Sequence, residues 1–285
     1  MIATLTLASV VAFVAGRRCQ RSQCGGAVVA ASLLACLAYS WLLQHHVVWI
    51  RWLPRTDLDF ATNLSPIGVA LAAGCLWPVQ AAASTQRATA SLTRIWMPAG
   101  LLMTAAALVV APVSATLIDP IDPDDLQSRW SDSVCLQSHA STCAPAAVAT
   151  LLRHRGIDRE ESDLVSICRT SNRGTRTFGV HRGLQACVSG SAQRVGLSDR
   201  DPNQWATLDQ LPSIALVRFP SSHSRHAMLR KWLGPRSEGH AVVVVDRTDD
   251  GAWIIADPAV GPLQWSDEEF RGRFSGVAMH LTSAR

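Results

Sequence analysis

The stretch LQSHASTCAPAAVATLLRHRG, Leu136 to Gly156, decides how the second half of this chain is read. Ser141 or Thr142 can cap a helix N-terminus, and Pro145 falls in the first turn, where its missing N–H costs nothing. Val148, Leu151 and Leu152 recur at helical spacing, basic residues Arg153, His154 and Arg155 suit the last turn, and Gly156 suits the C-terminal cap. Cys143 therefore opens a helix. The helix dipole and the free N–H groups there favour thiolate over thiol, and a thiolate is the form that attacks a carbonyl carbon. Gln137, six residues earlier, has an amide that can donate to the oxyanion of acyl transfer beside the Cys143 N–H. Taken alone, the stretch favours the plainer reading, a buried structural thiol and an exposed glutamine.

The rest of the chain narrows the choice. At 285 residues with a net charge of +4 and no Lys/Arg block, the composition argues against nucleic-acid binding. Eight cysteines in a chain of this length do not make a disulfide scaffold, and the absence of any CxxC pair argues against a zinc ribbon or thioredoxin-type motif. No metal and no cofactor is implied. Cys135, Cys168 and Cys187 are the other cysteines of the polar half, and the sequence leaves any bridge among them open.

Apolar runs crowd the first part: about Ile2–Gly16, Gly25–Gln44, Leu64–Ala82 and Ile95–Leu117. A bilayer core takes about 20 apolar residues per helix, which the last three runs reach and the first approaches. The expectation is an all-α transmembrane region of about four helices over residues 1–118, then a linker over 119–132. No positive segment precedes the first run, and GRRCQR follows it where a small-residue cleavage site would stand, so a retained helix is expected rather than a signal peptide. Arg17, Arg18 and Arg21 in the first connection and Arg87 and Arg94 in the third assign those connections to the cytoplasm. The chain beyond Leu117 then lies outside, as part of a multi-pass protein of a bacterial inner membrane. No apolar run carries an acidic residue, so the helices read as an anchor or a surface for a membrane-protein partner, not a transport path.

A nucleophilic cysteine needs a base. Of nine histidines, His45 and His46 sit at an apolar boundary, His139 and His154 flank the cysteine helix, and His223 and His226 lie in a polar loop. His240 opens GHAVVVVDRTDDGAWIIADPAVG, which reads as a strand Ala241–Asp246, a turn Arg247–Gly251 and a strand Ala252–Ala256. Symmetric closure about Thr248–Asp249 would put His240 directly opposite Asp257, with Cβ atoms about 5 Å apart. A carboxylate so placed orients an imidazole and fixes its tautomer.

Together, Q-x5-C-A-P-A-A, G-H-A-V-V-V-V, A-D-P-A-x-G and W-S-D-E-E-F…F-S-G resemble the C39 family of papain-like cysteine peptidases over about Ser133–Leu281. The family is best known as the domain that removes double-glycine leaders on peptide-exporting ABC transporters. The resemblance implies an α+β papain-like peptidase domain over 133–285. In it Cys143 is the nucleophile, His240 the general base and acid, Asp257 its orienting carboxylate and Gln137 the oxyanion donor. Ala144 departs from the family, which more often has Gly after the cysteine. The context departs further, because the chain has no GxxxxGK[ST] and its peptidase-like part follows the helices.

The implied function is a membrane-anchored cysteine peptidase acting on a peptide or protein, with the lipid bilayer as a partner. A catalytically silent or transamidating peptide-binding module of the same fold, in a membrane complex, is the alternative. Around the motifs, REESDLVSICRT and GVHRGLQACVSG read as short helices, SIALVRF as a buried strand, and SSHSRHAMLRKWLGPRSEG as a solvated basic loop.

Overall fold

The computed structural model describes residues 2–19, 25–45, 63–77, 91–198, 201–207, 210–220 and 237–283. It divides into two compact units, Met1–Ser114 and Ala115–Arg285.

In the first unit each apolar run forms a helix: α1 Ile2–Cys19, α2 Gly25–His45, α3 Ser65–Leu76 and α4 Ser91–Ile118. Val69, Ala70 and Ala105 are buried together, with Phe13, Cys36, Leu101 and Leu108 packed around them. Gly16 of α1 and Gly74 of α3 let the two helices approach closely, because a Cβ on either would strike the other helix's backbone. Among the described residues, α1 is the helix long and apolar enough to cross a membrane, with a mean hydropathy of 1.4 over 18 residues. The apolar stretches Gly26–Tyr39, Ser65–Leu76 and Trp96–Ala111 are shorter. This reverses the sequence expectation, in which the first run was the marginal one and the other three reached spanning length. Part of the difference lies in the third run, whose residues beyond Trp77 fall outside the described set.

The second unit is α+β. A short hairpin, β1 Arg129–Ser131 and β2 Val134–Leu136, leads into α5 Cys143–Arg153, α6 Glu161–Cys168 and α7 Thr177–Val188. There follow β3 Gln193–Ser198, α8 Pro202–Thr207, β4 Ser213–Pro220, β5 Ser237–Arg247, β6 Trp253–Asp257, β7 Gly261–Trp265, α9 Asp267–Arg273 and β8 Phe274–Ser283. Six of the strands form an antiparallel sheet in the order β3-β8-β4-β5-β6-β7. The stretch read as a basic loop lies almost wholly outside the described residues, and β5 begins at its last three positions.

α5 is more deeply placed than an amphipathic reading allows: every residue from Ala144 to Leu152 is buried. A helix apolar on all sides belongs in a core. It lies against Ala241 and Val243 of β5, Ile214 of β4 and Met279 and Leu281 of β8, with Leu164, Val180 and Leu184 of α6 and α7 closing the cluster. The opposite face of the sheet presents Val242, Val244, Ala215, Val217, Trp253 and Ile255 to Trp265 and to Phe270 of α9. Burial on both faces explains the uninterrupted AVVVV of β5. Ser266 caps α9 by accepting from the Glu269 N–H at 3.1 Å.

Phe270 is fully buried, with ring centroids 4.9 Å from Trp253 and 5.6 Å from Phe274. Phe270→Ala is expected to lower the unfolding free energy by about 3–5 kcal/mol in denaturant titration of the full chain.

The segment leaving α4 adheres to this unit. The Asn172 N–H donates to the Asp119 carbonyl at 3.1 Å and its side chain to Asp119 Oδ1 at 2.9 Å. Ile121 and Leu126 bury against Val165 of α6.

Candidate active site

Cys143 is the first residue of α5 and is half-buried. Neither expected cap serves its helix. Thr142 occupies the capping position but makes no side-chain cap bond. Its hydroxyl instead donates to the His139 carbonyl at 2.7 Å and accepts from the His139 N–H at 3.2 Å. Ser141 Oγ donates to the Asn172 carbonyl at 2.7 Å. Both hydroxyls are spent on shaping the loop before Cys143, so the first-turn N–H groups of α5 keep their donors for another acceptor.

His240 sits in β5 and Asp257 ends β6. The register differs from symmetric closure. Arg247 pairs with Trp253 and Asp246 with Ile254, but a bulge between Val244 and Asp246 shifts the ladder so that Val243 pairs with Ala256. One more step places Asp257 beside Val242, not His240. An offset of two residues keeps both side chains on one side of the ladder as a diagonal pair, within reach of a long side chain. His240 Nε2 donates to Asp257 Oδ1 at 2.7 Å. The same carboxylate oxygen accepts from the Ala259 N–H at 2.8 Å, and Asp257 is only 5% exposed.

With Nε2 engaged, Nδ1 is the ring nitrogen left for Cys143, which is near enough to act on the imidazole's protonation. Burial alone would pull the imidazole down. The hydrogen bonds to Asp257 and Cys143, and the charges of both, outweigh it and push His240 up to about 9. The Phe219 ring stands 5.7 Å from the imidazole.

Gln137 lies between β2 and α5 and is held from both ends. Its N–H donates to the Pro258 carbonyl at 2.8 Å, tying it to the residue after Asp257. Its Nε2 donates to the His139 carbonyl at 3.1 Å, while Oε1 is buried without a partner. Nε2 carries two hydrogens, so one remains for an incoming oxygen. The fold thus joins His240 and Asp257 directly, brings Cys143 near the imidazole, and fixes Gln137 to the loop that carries Asp257.

The remaining cysteines of this unit differ in kind. Burial pushes the Cys135 thiol up to about 12, with Glu161 and Glu160 adding to it, and does the same to Cys168, helped by Cys187. Both are held as thiols, the unreactive form. Cys135, Cys168 and Cys187 are all free. Among the described residues no group of three or more His, Cys, Asp or Glu side chains could hold a metal.

Two residues of this region escaped the sequence reading. Half-buried Ser138 and fully buried Glu161 bond to each other beside Gln137, and Glu161 looked like any acidic residue in the first turn of a helix.

The unit is α+β, with a cysteine opening its central helix and a His–Asp pair on its sheet. The model of the peptidase C39 family matches residues 235–285, the stretch from the start of β5 through Asp257 to the C-terminal strand. That stretch holds His240 and Asp257, two of the residues on which the C39 resemblance rests. An uncharacterized protein of Methanothermobacter marburgensis is 29% identical over 154 residues, 53% of this chain and 90% of the relative. A second, from Methanothermobacter thermautotrophicus, is 25% identical over 52% of this chain and 87% of its own length. Among solved structures, the chain is similar to the peptidase domain of Streptococcus ComA, a bi-functional ABC transporter of a quorum-sensing pathway. That match has 20% identity and a TM-score of 0.40, over 52% of this chain and 96% of that one. A double glycine motif protease from an AMS/PCAT transporter, in complex with its leader peptide, matches at 19% identity and a TM-score of 0.42, over 53% and 90%.

Proposed function

We propose that the protein is a membrane-anchored cysteine peptidase whose C-terminal unit, residues 133–285, hydrolyses peptide bonds with Cys143, His240, Asp257 and Gln137. The observation that carries this reading is the connected set Cys143–His240–Asp257, with His240 Nε2 on Asp257 Oδ1 at 2.7 Å.

The Cys143 thiolate attacks the peptide carbonyl carbon, forming a C–S bond and moving the π electrons onto oxygen. The second Nε2 hydrogen of Gln137 and the Cys143 N–H receive that oxyanion. As the C–N bond breaks, the His240 imidazolium protonates the leaving amine. The neutral imidazole then takes a proton from water, the hydroxide adds to the thioester, and C–S cleavage returns the thiolate and the imidazolium. Asp257 holds the ring and balances its charge throughout.

The helices of residues 1–118 are the anchor in this reading. Leu7, Val10, Val11, Leu34, Leu37 and Met103 project outward and exposed, a surface suited to lipid or to a membrane-protein partner. Residues 119–132 connect the anchor to the peptidase unit, and a crossing of all four helices would put that unit outside by the arginine rule, whereas a crossing of α1 alone would leave it on the side of Arg17 and Arg18. The substrate is a peptide or protein on the side where the unit stands. Double-glycine segments are the first to try, since one similar structure is described as a double glycine motif protease.

Comparing peptides released by membranes carrying the wild-type chain with those carrying Cys143→Ala, by mass spectrometry of new termini, tests the reading. Wild-type-specific pairs of termini, absent from the variant, are expected. Identical peptide sets would overturn it.

A further inference from the structure

Glu161 is fully buried, and among the described residues its carboxylate bonds to Ser138 and to no basic side chain. Burying a carboxylate is costly unless hydrogen bonds replace its water. Here both oxygens converge on one residue: the Ser138 N–H lies 3.0 Å from Oε1 and 3.1 Å from Oε2, and Ser138 Oγ donates to Oε2 at 2.7 Å. Glu161 is the first residue of α6, where the positive end of the helix dipole favours a carboxylate, and its own N–H donates to Ser128 Oγ at 2.9 Å.

Ser138 directly follows Gln137. The loop from Gln137 to Thr142 has its start held by the Pro258 carbonyl and its end closed by the Thr142–His139 bonds. Glu161 is the third tether, and it grips the peptide unit whose carbonyl side belongs to Gln137. The orientation of that peptide sets where the Gln137 Cα–Cβ bond points, and so where its amide stands relative to Cys143. A fold-stabilising role would be met by any well-packed apolar pair. A charged group spent on the residue next to the oxyanion donor fixes a geometry instead.

We propose that Glu161 is a positioning residue for the oxyanion hole, holding Ser138 so that the Gln137 amide faces the carbonyl attacked by Cys143. This rests on the peptidase reading above, and the experiment separates the two.

Three readouts are made on the full chain in detergent: turnover of a fluorogenic peptide cleaved after Gly-Gly, the inhibition constant of a peptide aldehyde ending in glycinal, and the rate at which iodoacetamide alkylates Cys143. The aldehyde forms a hemithioacetal whose oxygen occupies the oxyanion position; alkylation displaces iodide from carbon and creates no oxyanion. Glu161→Ala is expected to lower kcat/KM about 10²-fold and to weaken the aldehyde in parallel, while alkylation stays within about 2-fold. Glu161→Gln keeps an acceptor oxygen for the Ser138 N–H and should recover to within about 10-fold of wild type. In a Gln137→Ala background, itself down about 10²–10³-fold, Glu161→Ala should cost less than about 3-fold more. Should Glu161→Ala fail to fold, Ser138→Ala, which removes the hydroxyl bond alone, replaces it in the same cycle.

Multiplying losses in the double variant, or alkylation falling with turnover, would overturn the proposal and leave the peptidase reading standing. A wild type that binds the aldehyde in a Glu161-dependent way but never cleaves would overturn the peptidase reading and leave the positioning role. Neither cleavage nor aldehyde binding overturns both.

Discussion

Cys143→Ala is expected to reduce kcat/KM on a Gly-Gly peptide on the order of 10⁵-fold, and His240→Ala by a similar amount. The double variant should be no worse than either single one. The reason lies in how the groups share one step. In the proposed mechanism the His240 imidazolium is paired with the Cys143 thiolate while Asp257 holds Nε2 at 2.7 Å, so without the sulfur its proton transfers have no nucleophile to serve. Groups that act as a unit give grossly non-additive losses. Cys143 is half-buried at the edge of the core, so its replacement should shift unfolding by no more than about 1 kcal/mol. Steady-state kinetics beside thermal melts separate lost chemistry from lost fold. A Cys143→Ala chain that still turns over, or losses that multiply, would assign the cleavage to another group. A wild type that binds the peptide without cleaving it would favour the silent binding module.

How much of this was readable beforehand depended on how local the signal was. The α5 start was legible because proline, apolar spacing and glycine all fall within one short stretch, and Gly156 does take a positive φ of 74° at its end. The His240–Asp257 partnership was legible as a hairpin, but its register was not. The turn centres on Asp250 instead of between Thr248 and Asp249, which moves the register by three, and the bulge near Val245 takes one residue back; nothing in VVVVDRTDDGA announces either. The pair survives because a shift of two residues preserves the face, whereas a shift of one would have sent Asp257 to the opposite side. β3 and β8 pair across some eighty residues, with only half-buried QRVGLS to announce the first. Glu161 was illegible for a different reason. Its role is set by Ser138, 23 residues away, while its local context of acids at a helix start has an ordinary explanation.

The pH dependence gives the second large effect. His240 is raised to about 9 in the folded chain from an ordinary 6.5, because the Asp257 and Cys143 bonds and charges overcome burial. A raised folded value means the folded state holds the proton more tightly. The stabilisation is therefore complete below pH 6.5 and is lost as pH climbs through 9. At 1.36 kcal/mol per unit the span from 6.5 to about 9 corresponds to about 3 kcal/mol. Denaturant titrations of wild type and His240→Gln should differ by a constant amount below pH 6.5, with the difference shrinking from there to about pH 9. Turnover follows the same proton. The imidazolium protonates the leaving amine, so kcat/KM should fall on an alkaline limb near 9. Asp257→Asn keeps an oxygen for Nε2–H but removes the charge, so that limb should move down toward 6.5 with the acid limb less affected. If the alkaline limb stays near 9 in Asp257→Asn, the carboxylate is not what holds the proton on His240. The orienting role would then fall to the hydrogen bond alone.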